Sequence, residues 1–185
     1  RETGTVIWVG DGIAIVYGID HAMYGEIVIF ECGVKGMVQD IRKNEIGCIL
    51  FGKDTEIVEG SRVTRTKKRA GVPVGNAFLG RVVNALGEPI DGLGPIVADT
   101  KANINGLPLN PVTREYPRNY IRTGISAIDG LTTLIRGQKL PIFSGNGLPH
   151  DRLAAQIVKQ ASLGDNSDEK FAIVFAAMGV KYDVA

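Results

Sequence analysis

Residues 139–158 read KLPIFSGNGLPHDRLAAQIV, in which an apolar run leads through a glycine-containing turn into a helical pattern. The stretch 139–143 predicts a buried strand. The stretch 151–162 predicts a helix with one apolar face, formed by Leu153, Ala154, Ile157, Val158 and Ala161. A polar loop, 164–170, leads to a second apolar strand at 171–177. This order of strand, turn, helix and strand predicts a βαβ unit with a parallel pair of strands.

The first third of the chain has the pattern of an all-β domain. Short apolar runs alternate with glycine turn signals that recur roughly every ten residues between Gly18 and Gly60. Regular short strands at this spacing indicate a small sandwich or barrel that ends near Thr66. The predicted strands are 5–9, 13–17, 25–30, 35–39, 47–51 and 61–65.

The middle of the chain is rich in residues that break regular structure. Within 71–118 the chain has the turn-forming pairs Asp91-Gly92, Gly94-Pro95 and Asn105-Gly106, and so long an irregular stretch usually wraps a surface. A short helix is predicted at 125–134. The expected domains are therefore a barrel at 1–66, a connection with the start of the core at 67–122, and an α/β part at 123–185.

Composition excludes several classes of protein. The 185 residues are 44% hydrophobic with a formal net charge of +1, which argues against disorder and against a general binder of nucleic acid or membrane surfaces. We find no apolar run long enough to span a membrane and no secretory leader. Cys32 and Cys48 are too few for a disulfide scaffold or a zinc site, which predicts reduced thiols in a cytosolic setting. The abrupt start and end suggest a segment of something longer.

One dense basic run, Lys67-Lys68-Arg69, follows Arg62 and Arg65. A solvated strand end and linker is the simpler interpretation. Contact with nucleic acid or with an acidic partner is the alternative.

The turn after the strand at 139–143 lies where phosphate-binding loops carry G-x-x-x-x-G-K-[ST]. Such a loop needs glycine for close approach to the phosphates, lysine for the β/γ oxygens and Ser/Thr for Mg²⁺. Here Ser144 and Pro149 stand at the two glycines, His150 at the lysine and Asp151 at the Ser/Thr. The spacing is that of a phosphate-binding loop, but the residue types are not.

These substitutions favour a structural loop over a nucleotide site. Pro149 removes a backbone N–H, and the Asp151 carboxylate is expected to cap the helix and occupy the place of an anion. Weak or altered nucleotide binding is the alternative, with hydrolysis the least favoured. The candidate cofactor-binding positions are Ser144, Gly145, Asn146, Gly147, Leu148, Pro149, His150 and Asp151. No catalytic constellation and no metal-ligand spacing is visible in the sequence.

The chain resembles non-catalytic subunits of rotary ATPases. Residues 1–96 resemble the N-terminal part of the F-type ATP synthase alpha subunit, for example in Val9-Gly10-Asp11-Gly12-Ile13-Ala14 and Leu79-Gly80-Arg81-Val82-Val83-Asn84-Ala85-Leu86-Gly87. Residues from about 104 to 185 resemble the B subunit of V-type and archaeal-type ATPases, for example in Thr123-Gly124-Ile125-Ser126-Ala127-Ile128-Asp129-Gly130 and Gly147-Leu148-Pro149-His150. The apparent switch lies between Asp91 and Asn105, which suggests a chimera or fragment.

This resemblance implies a six-stranded barrel followed by the first part of a RecA-like P-loop nucleotide-binding fold. It implies a structural or regulatory subunit of a proton- or sodium-translocating ATPase, which does not itself hydrolyse ATP. Val180 corresponds to the position of a water-activating glutamate in catalytic subunits, and an apolar side chain cannot act as a base. No cofactor is expected, with weak binding of ATP or ADP with Mg²⁺ as the alternative.

The expected partners are the catalytic subunits of an alternating hexamer and other subunits of the headpiece. The expected location is cytoplasmic, peripheral to the membrane through the complex, with no direct membrane insertion and no nucleic acid. Three alternatives remain open at this point. A translocase of the same superfamily would need the lysine that His150 replaces. An engineered chimeric scaffold is the second, and an oligonucleotide-binding barrel, which has few aromatic residues for stacking, is the third.

Overall fold

A closed barrel forms the N-terminal part of the computed structural model, which describes residues 2–164, 168–181 and 183–185. Contacts group the chain into two units, Arg1–Pro108 and Leu109–Ala185. This division falls inside the stretch 67–122, and the domain boundaries expected from the sequence remain predictions. Residues 165–167 of the predicted loop 164–170 lie outside the described residues.

The barrel has the six strands that the sequence predicts. They pair in the order β1-β2-β5-β4-β3-β6 and close through β1 and β6, with every pair antiparallel. Closure of this sheet pairs both of its edge strands with each other. The bounds are β1 Thr3–Gly10, β2 Ile13–Tyr17, β3 Glu26–Phe30, β4 Lys35–Ile41, β5 Ile46–Leu50 and β6 Arg62–Arg69.

Alternating side chains fill the barrel interior, as the two-residue period of a strand requires. The buried core includes Val6, Ala14, Val16, Val28, Phe30, Val38, Ile46, Leu50 and Val63. Cys48 is also buried, and burial raises the pKa of its thiol to about 12. Both cysteines are free thiols, Cys32 being exposed.

A buried ion pair joins β3 to β6 where the barrel closes. The Arg65 guanidinium donates from Nε to Glu26 Oε1 and from Nη2 to Glu26 Oε2, each at 3.0 Å. The Glu26 side chain is fully buried and that of Arg65 is 7% exposed. Arg65 Nη1 also donates to Glu2 Oε2 at 2.6 Å. Residue 65 therefore does not contribute to an exposed basic run, contrary to the grouping of Arg62 and Arg65 with Lys67–Arg69.

The hydrogen bonds that join Arg65 to Glu26 and to Glu2 favour the charged form of each of these three side chains. Burial on its own would raise the pKa of Glu26, but hydrogen bonds from Arg65 and from two backbone N–H groups hold it below its usual value. Hydrogen bonding by Arg65 lowers the pKa of Glu2 to about 2. The hydrogen bonds to Glu26 raise the pKa of Arg65, so all three remain ionised at neutral pH.

A two-stranded sheet and a second ion pair follow the barrel. The strands β7 Gly71–Val74 and β8 Thr100–Asn103 pair antiparallel, and the segment 79–94 between them folds back on itself. Arg81 binds both carboxylate oxygens of Asp91, at 2.7 and 3.0 Å. This pairing and two backbone N–H donors lower the pKa of Asp91. Short 3₁₀ turns lie at Asp54–Glu56, Asn76–Phe78 and Pro111–Thr113.

The second unit has a different sheet from the one the sequence predicts. The strands are β9 Tyr120–Arg122, β10 Leu134–Ile135 and β11 Ser162–Leu163, which form a three-stranded antiparallel sheet in the order β10-β9-β11. The helices are α1 Ser126–Leu131 and α2 His150–Gln160. Both helices agree with the predicted positions to within a few residues.

The predicted parallel pair is wrong for the described residues. The stretches 139–143 and 171–177 form no strand, and they are largely exposed rather than buried, with Phe143 at 91% and Val174 at 93%. A strand needs a neighbouring strand to accept and donate its backbone hydrogen bonds, and the described sheet of the second unit consists of β10, β9 and β11 without either stretch. Helix α2 forms because its hydrogen bonds are local.

We expect Arg65→Met to destabilise the first unit by about 3–5 kcal/mol, because it leaves the buried Glu26 carboxylate without its charged partner. Urea unfolding followed by tryptophan fluorescence measures this, since Trp8 lies in β1. Arg42→Met is the matched control, because the Arg42–Asp40 pair is exposed on both sides and its loss should cost less than about 1 kcal/mol. Equal effects of the two substitutions would contradict the assignment.

We also expect Gly87→Ala to cost more than Gly92→Ala. Both glycines have left-handed backbone angles, φ 78° and 74°, so the conformational cost of about 1–2 kcal/mol is shared. A Cβ at residue 87 would lie 2.6 Å from Pro73 Cδ and Cγ, whereas one at residue 92 meets nothing within 4 Å. The extra cost is about 1–3 kcal/mol, read from the difference between the two unfolding curves. Indistinguishable curves would mean that Pro73 moves aside freely.

Candidate functional site

The candidate loop, residues 144–151, runs into the first turn of α2 and is exposed throughout. Gly147 has a left-handed φ of 84°, and Leu148 N donates to Gly145 O at 3.3 Å, which closes the turn. A tight turn of this kind requires a residue without a Cβ penalty at positive φ. The loop therefore forms a turn that is closed by a hydrogen bond within its own backbone.

Three of the predicted site residues come together at the start of α2. Ser144 Oγ lies 2.9 Å from His150 Nδ1. His150 Nε2 lies 3.6 Å from Asp151 Oδ1, and both side chains are about half exposed. The ring at the lysine position is thus in contact with a hydroxyl on one nitrogen and close to a carboxylate on the other.

The start of α2 corrects the predicted role of Asp151. Pro149 is the N-cap residue, and no side chain forms a capping hydrogen bond there. Asp151 lies in the first turn, where its charge still favours the positive end of the helix. The capping prediction is wrong because the helix begins at His150, one residue earlier than expected. Asp151 is therefore the second residue of the helix and not the residue at its start.

The first turn of α2 offers few groups to an anion. Pro149 has no N–H, His150 N donates to Leu148 O at 2.9 Å, and Leu153 N donates to Pro149 O at 3.1 Å. The Asp151 carboxylate, in the first turn, adds a negative charge that would repel a phosphate. These residues do not fit a tightly held nucleoside triphosphate with Mg²⁺.

Sequence reasoning missed one anchoring residue, Asp129 in α1. Its Oδ1 accepts hydrogen bonds from Thr123 N at 2.9 Å and Thr123 Oγ1 at 2.7 Å, and its Oδ2 accepts one from Gly124 N at 3.0 Å. The Thr123 hydroxyl and backbone donors lower the pKa of Asp129. The signal was present as a Thr-Gly pair followed five residues later by Asp, since a carboxylate one turn into a helix can accept from the residues that precede it.

Three further expectations concern Val180, a metal site and a membrane-spanning helix. Val180 is 39% exposed, and its assignment as the position of a missing base stays a prediction. Among the described residues, no group of three or more His, Cys, Asp or Glu side chains could hold a metal ion. In the same part of the chain, neither helix has the length and apolar character needed to cross a membrane.

Two family models match the chain on either side of the connection. Residues 1–67 match the beta-barrel domain of the ATP synthase alpha/beta family, and residues 124–185 match the nucleotide-binding domain of the same family. The chain belongs to the ATP synthase alpha/beta family. The barrel match ends at residue 67, two residues short of the end of β6.

Curated relatives in this family align with the whole chain. The V-type ATP synthase beta chain of Halothermothrix orenii is 53% identical over 190 aligned residues, which cover all of this chain and 41% of that protein. The A-type ATP synthase B subunit of Aeropyrum pernix is 45% identical over 188 residues, covering 99% of this chain and 40% of that protein. The A-type ATP synthase B subunit of Methanopyrus kandleri is 44% identical over 193 residues, covering 100% of this chain and 19% of that protein.

These alignments bear on the suggested chimera. Single V-type and A-type relatives align across both 1–96 and 104–185, so one kind of ATP synthase subunit accounts for both stretches without a junction. The chain spans about two fifths of the length of the Halothermothrix relative.

We expect Asp129→Asn to loosen the backbone at residues 123–124, because a neutral amide accepts weaker hydrogen bonds than a carboxylate. Hydrogen exchange of the Thr123 and Gly124 amides should quicken by about tenfold. Asp168→Asn is the matched control, since Asp168 is an exposed acid of the same unit. Unchanged exchange at both amides in Asp129→Asn would show that another group holds this turn.

Proposed function

We propose that this chain is part of a non-catalytic subunit of a proton- or sodium-translocating rotary ATPase, with a structural or regulatory role. The observation that carries the proposal is the contact of 2.9 Å between Ser144 Oγ and His150 Nδ1, at the position where a working loop presents a lysine. A lysine there would reach the β/γ oxygens, whereas this ring is engaged within the loop.

Two further features support a non-catalytic role. In the loop, Pro149 supplies no N–H to a phosphate, and the Asp151 carboxylate would repel one. Val180, at the position that the family resemblance assigns to a water-activating glutamate, has no group that could accept a proton. Each of these changes alone would impair hydrolysis, and they lie on separate segments of the chain.

The names of the relatives support the assignment to a complex. They are called V-type ATP synthase beta chain and A-type ATP synthase B subunit. By analogy, the proposed partners are the catalytic subunits of an alternating hexamer and other headpiece subunits. The proposed location is cytoplasmic and peripheral to the membrane, reached through the complex. No cofactor is required in this role, and any ATP or ADP with Mg²⁺ would bind weakly.

Calorimetric titration of the chain with Mg-ATP and Mg-ADP tests the proposal. We expect no saturable binding below the millimolar range, because the loop lacks the lysine, Pro149 has no N–H, and the N–H groups of Leu148 and His150 are bonded within the loop. A variant with Ser144→Gly, Pro149→Gly, His150→Lys and Asp151→Thr restores the four motif positions and serves as the matched comparison. It should bind at least about tenfold more tightly than the unaltered chain.

Micromolar binding by the unaltered chain would contradict the proposed structure of this site. The chain would then be a nucleotide-sensing module, and His150→Ala would identify whether the ring contributes to binding.

A further inference from the structure

One end of the barrel carries a cationic surface that the proposed function does not use. We call it the basic rim and define it as Met23, Tyr24, Lys67, Lys68 and Arg69. The three cationic side chains are exposed, and Met23 and Tyr24 are 39% and 51% exposed. The rim therefore combines three positive charges with two large apolar side chains.

The buried Glu26 carboxylate fixes both halves of this rim. Glu26 Oε2 accepts from Met23 N at 3.0 Å, and Glu26 Oε1 accepts from Lys67 N at 2.8 Å. Ala70 N also donates to Gly25 O at 2.7 Å, so the two segments lie side by side. Because both segments are tied to one buried group, the rim is held in place before any partner arrives, which reduces the entropy lost on binding.

Lys67 occupies a backbone conformation that lysine disfavours. Its φ is 59°, in the left-handed region, at the shift of register between β3 and β6. A side chain with a Cβ costs about 1–2 kcal/mol there relative to the right-handed region. The contact that holds this position uses the Lys67 backbone N–H, which any residue except proline supplies. The hydrogen bond that holds this position does not use the lysine side chain. Backbone strain of this kind is common where a residue serves function.

The three cationic side chains of the rim form no ion pair with the described residues of the first unit. In the stretch that the structure describes, no carboxylate forms an ion pair with Lys67, Lys68 or Arg69. We propose that the basic rim binds an acidic segment of a partner polypeptide. In that complex, carboxylates would meet the three cations, and an apolar side chain of the segment would pack on Met23 and Tyr24. This proposal is independent of the nucleotide-loop chemistry.

An acidic polypeptide fits the rim better than a nucleic acid does. Binding of single strands relies on several aromatic platforms, and Tyr24 is the one aromatic residue of the rim. Its hydroxyl accepts a hydrogen bond from Gln39 Nε2 at 2.8 Å, which fixes the ring. Three cations would neutralise few phosphates and so release few counterions.

Fluorescence anisotropy with an end-labelled oligoglutamate peptide tests the proposal on the full chain. We expect salt-sensitive binding that weakens by about threefold in Lys67→Gly and by about tenfold when Lys68→Gln and Arg69→Gln are added. Lys53→Gln is the matched control, since Lys53 is an exposed lysine next to the Asp54–Glu56 turn, outside the rim, and the affinity of this variant should not change.

The thermal midpoint of Lys67→Gly separates binding from folding. Glycine relieves the left-handed strain, so the midpoint should rise by about 2 °C while the affinity falls. A midpoint that falls together with the affinity would mean that Lys67 serves the fold, and would overturn the proposal. So would the absence of oligoglutamate binding, or binding that the rim substitutions leave unchanged. Equal or tighter binding of an end-labelled oligothymidine would overturn it in favour of nucleic acid.

Discussion

The buried pair of Glu26 and Arg65 is the interaction on which the barrel depends most. It joins the two strands, β3 and β6, between which the register shifts, and it ties Glu2 at the start of β1 to the same site. A carboxylate with no exposed surface is tolerated only when its hydrogen bonds are satisfied, and Glu26 accepts two from Arg65 and two from backbone N–H groups. The same carboxylate thereby sets the backbone of the rim beside it.

Carboxylates have the same role elsewhere in the chain, where regular structure is sparse. Asp91 accepts from the Arg81 side chain and from the backbone N–H groups of Val82 and Leu93. Asp129 accepts from Thr123 and Gly124. In each case a charged acceptor satisfies backbone donors that no strand or helix satisfies, so the irregular segments have a defined conformation without a sheet around them. The low pKa values of these acids follow from the same hydrogen bonds.

The loop before α2 has the spacing of a phosphate-binding loop without the residue types that bind phosphate. Its length is that of a phosphate-binding loop, and the chain around it matches the nucleotide-binding domain of the ATP synthase alpha/beta family. Its side chains contact one another, with Ser144 against His150, and the backbone donors are reduced by Pro149. A family fold can thus be kept while the donors that hold phosphate are replaced, which is the basis for the proposed non-catalytic role.

The sequence by itself determined the six barrel strands, because alternation and glycine turns are local signals, and helix α2, because its apolar spacing is local as well. It also determined which residue types stand in the loop. Only the tertiary structure decided the order in which the strands pair around the barrel and that Arg65 is buried against Glu26 and not exposed with its neighbours. Only the structure decided that 139–143 and 171–177 form no strands and that α2 begins after Pro149 without a side-chain cap from Asp151. These outcomes depend on groups far apart in sequence or on a shift of one residue, and an apolar run or a charged residue does not encode its own partner.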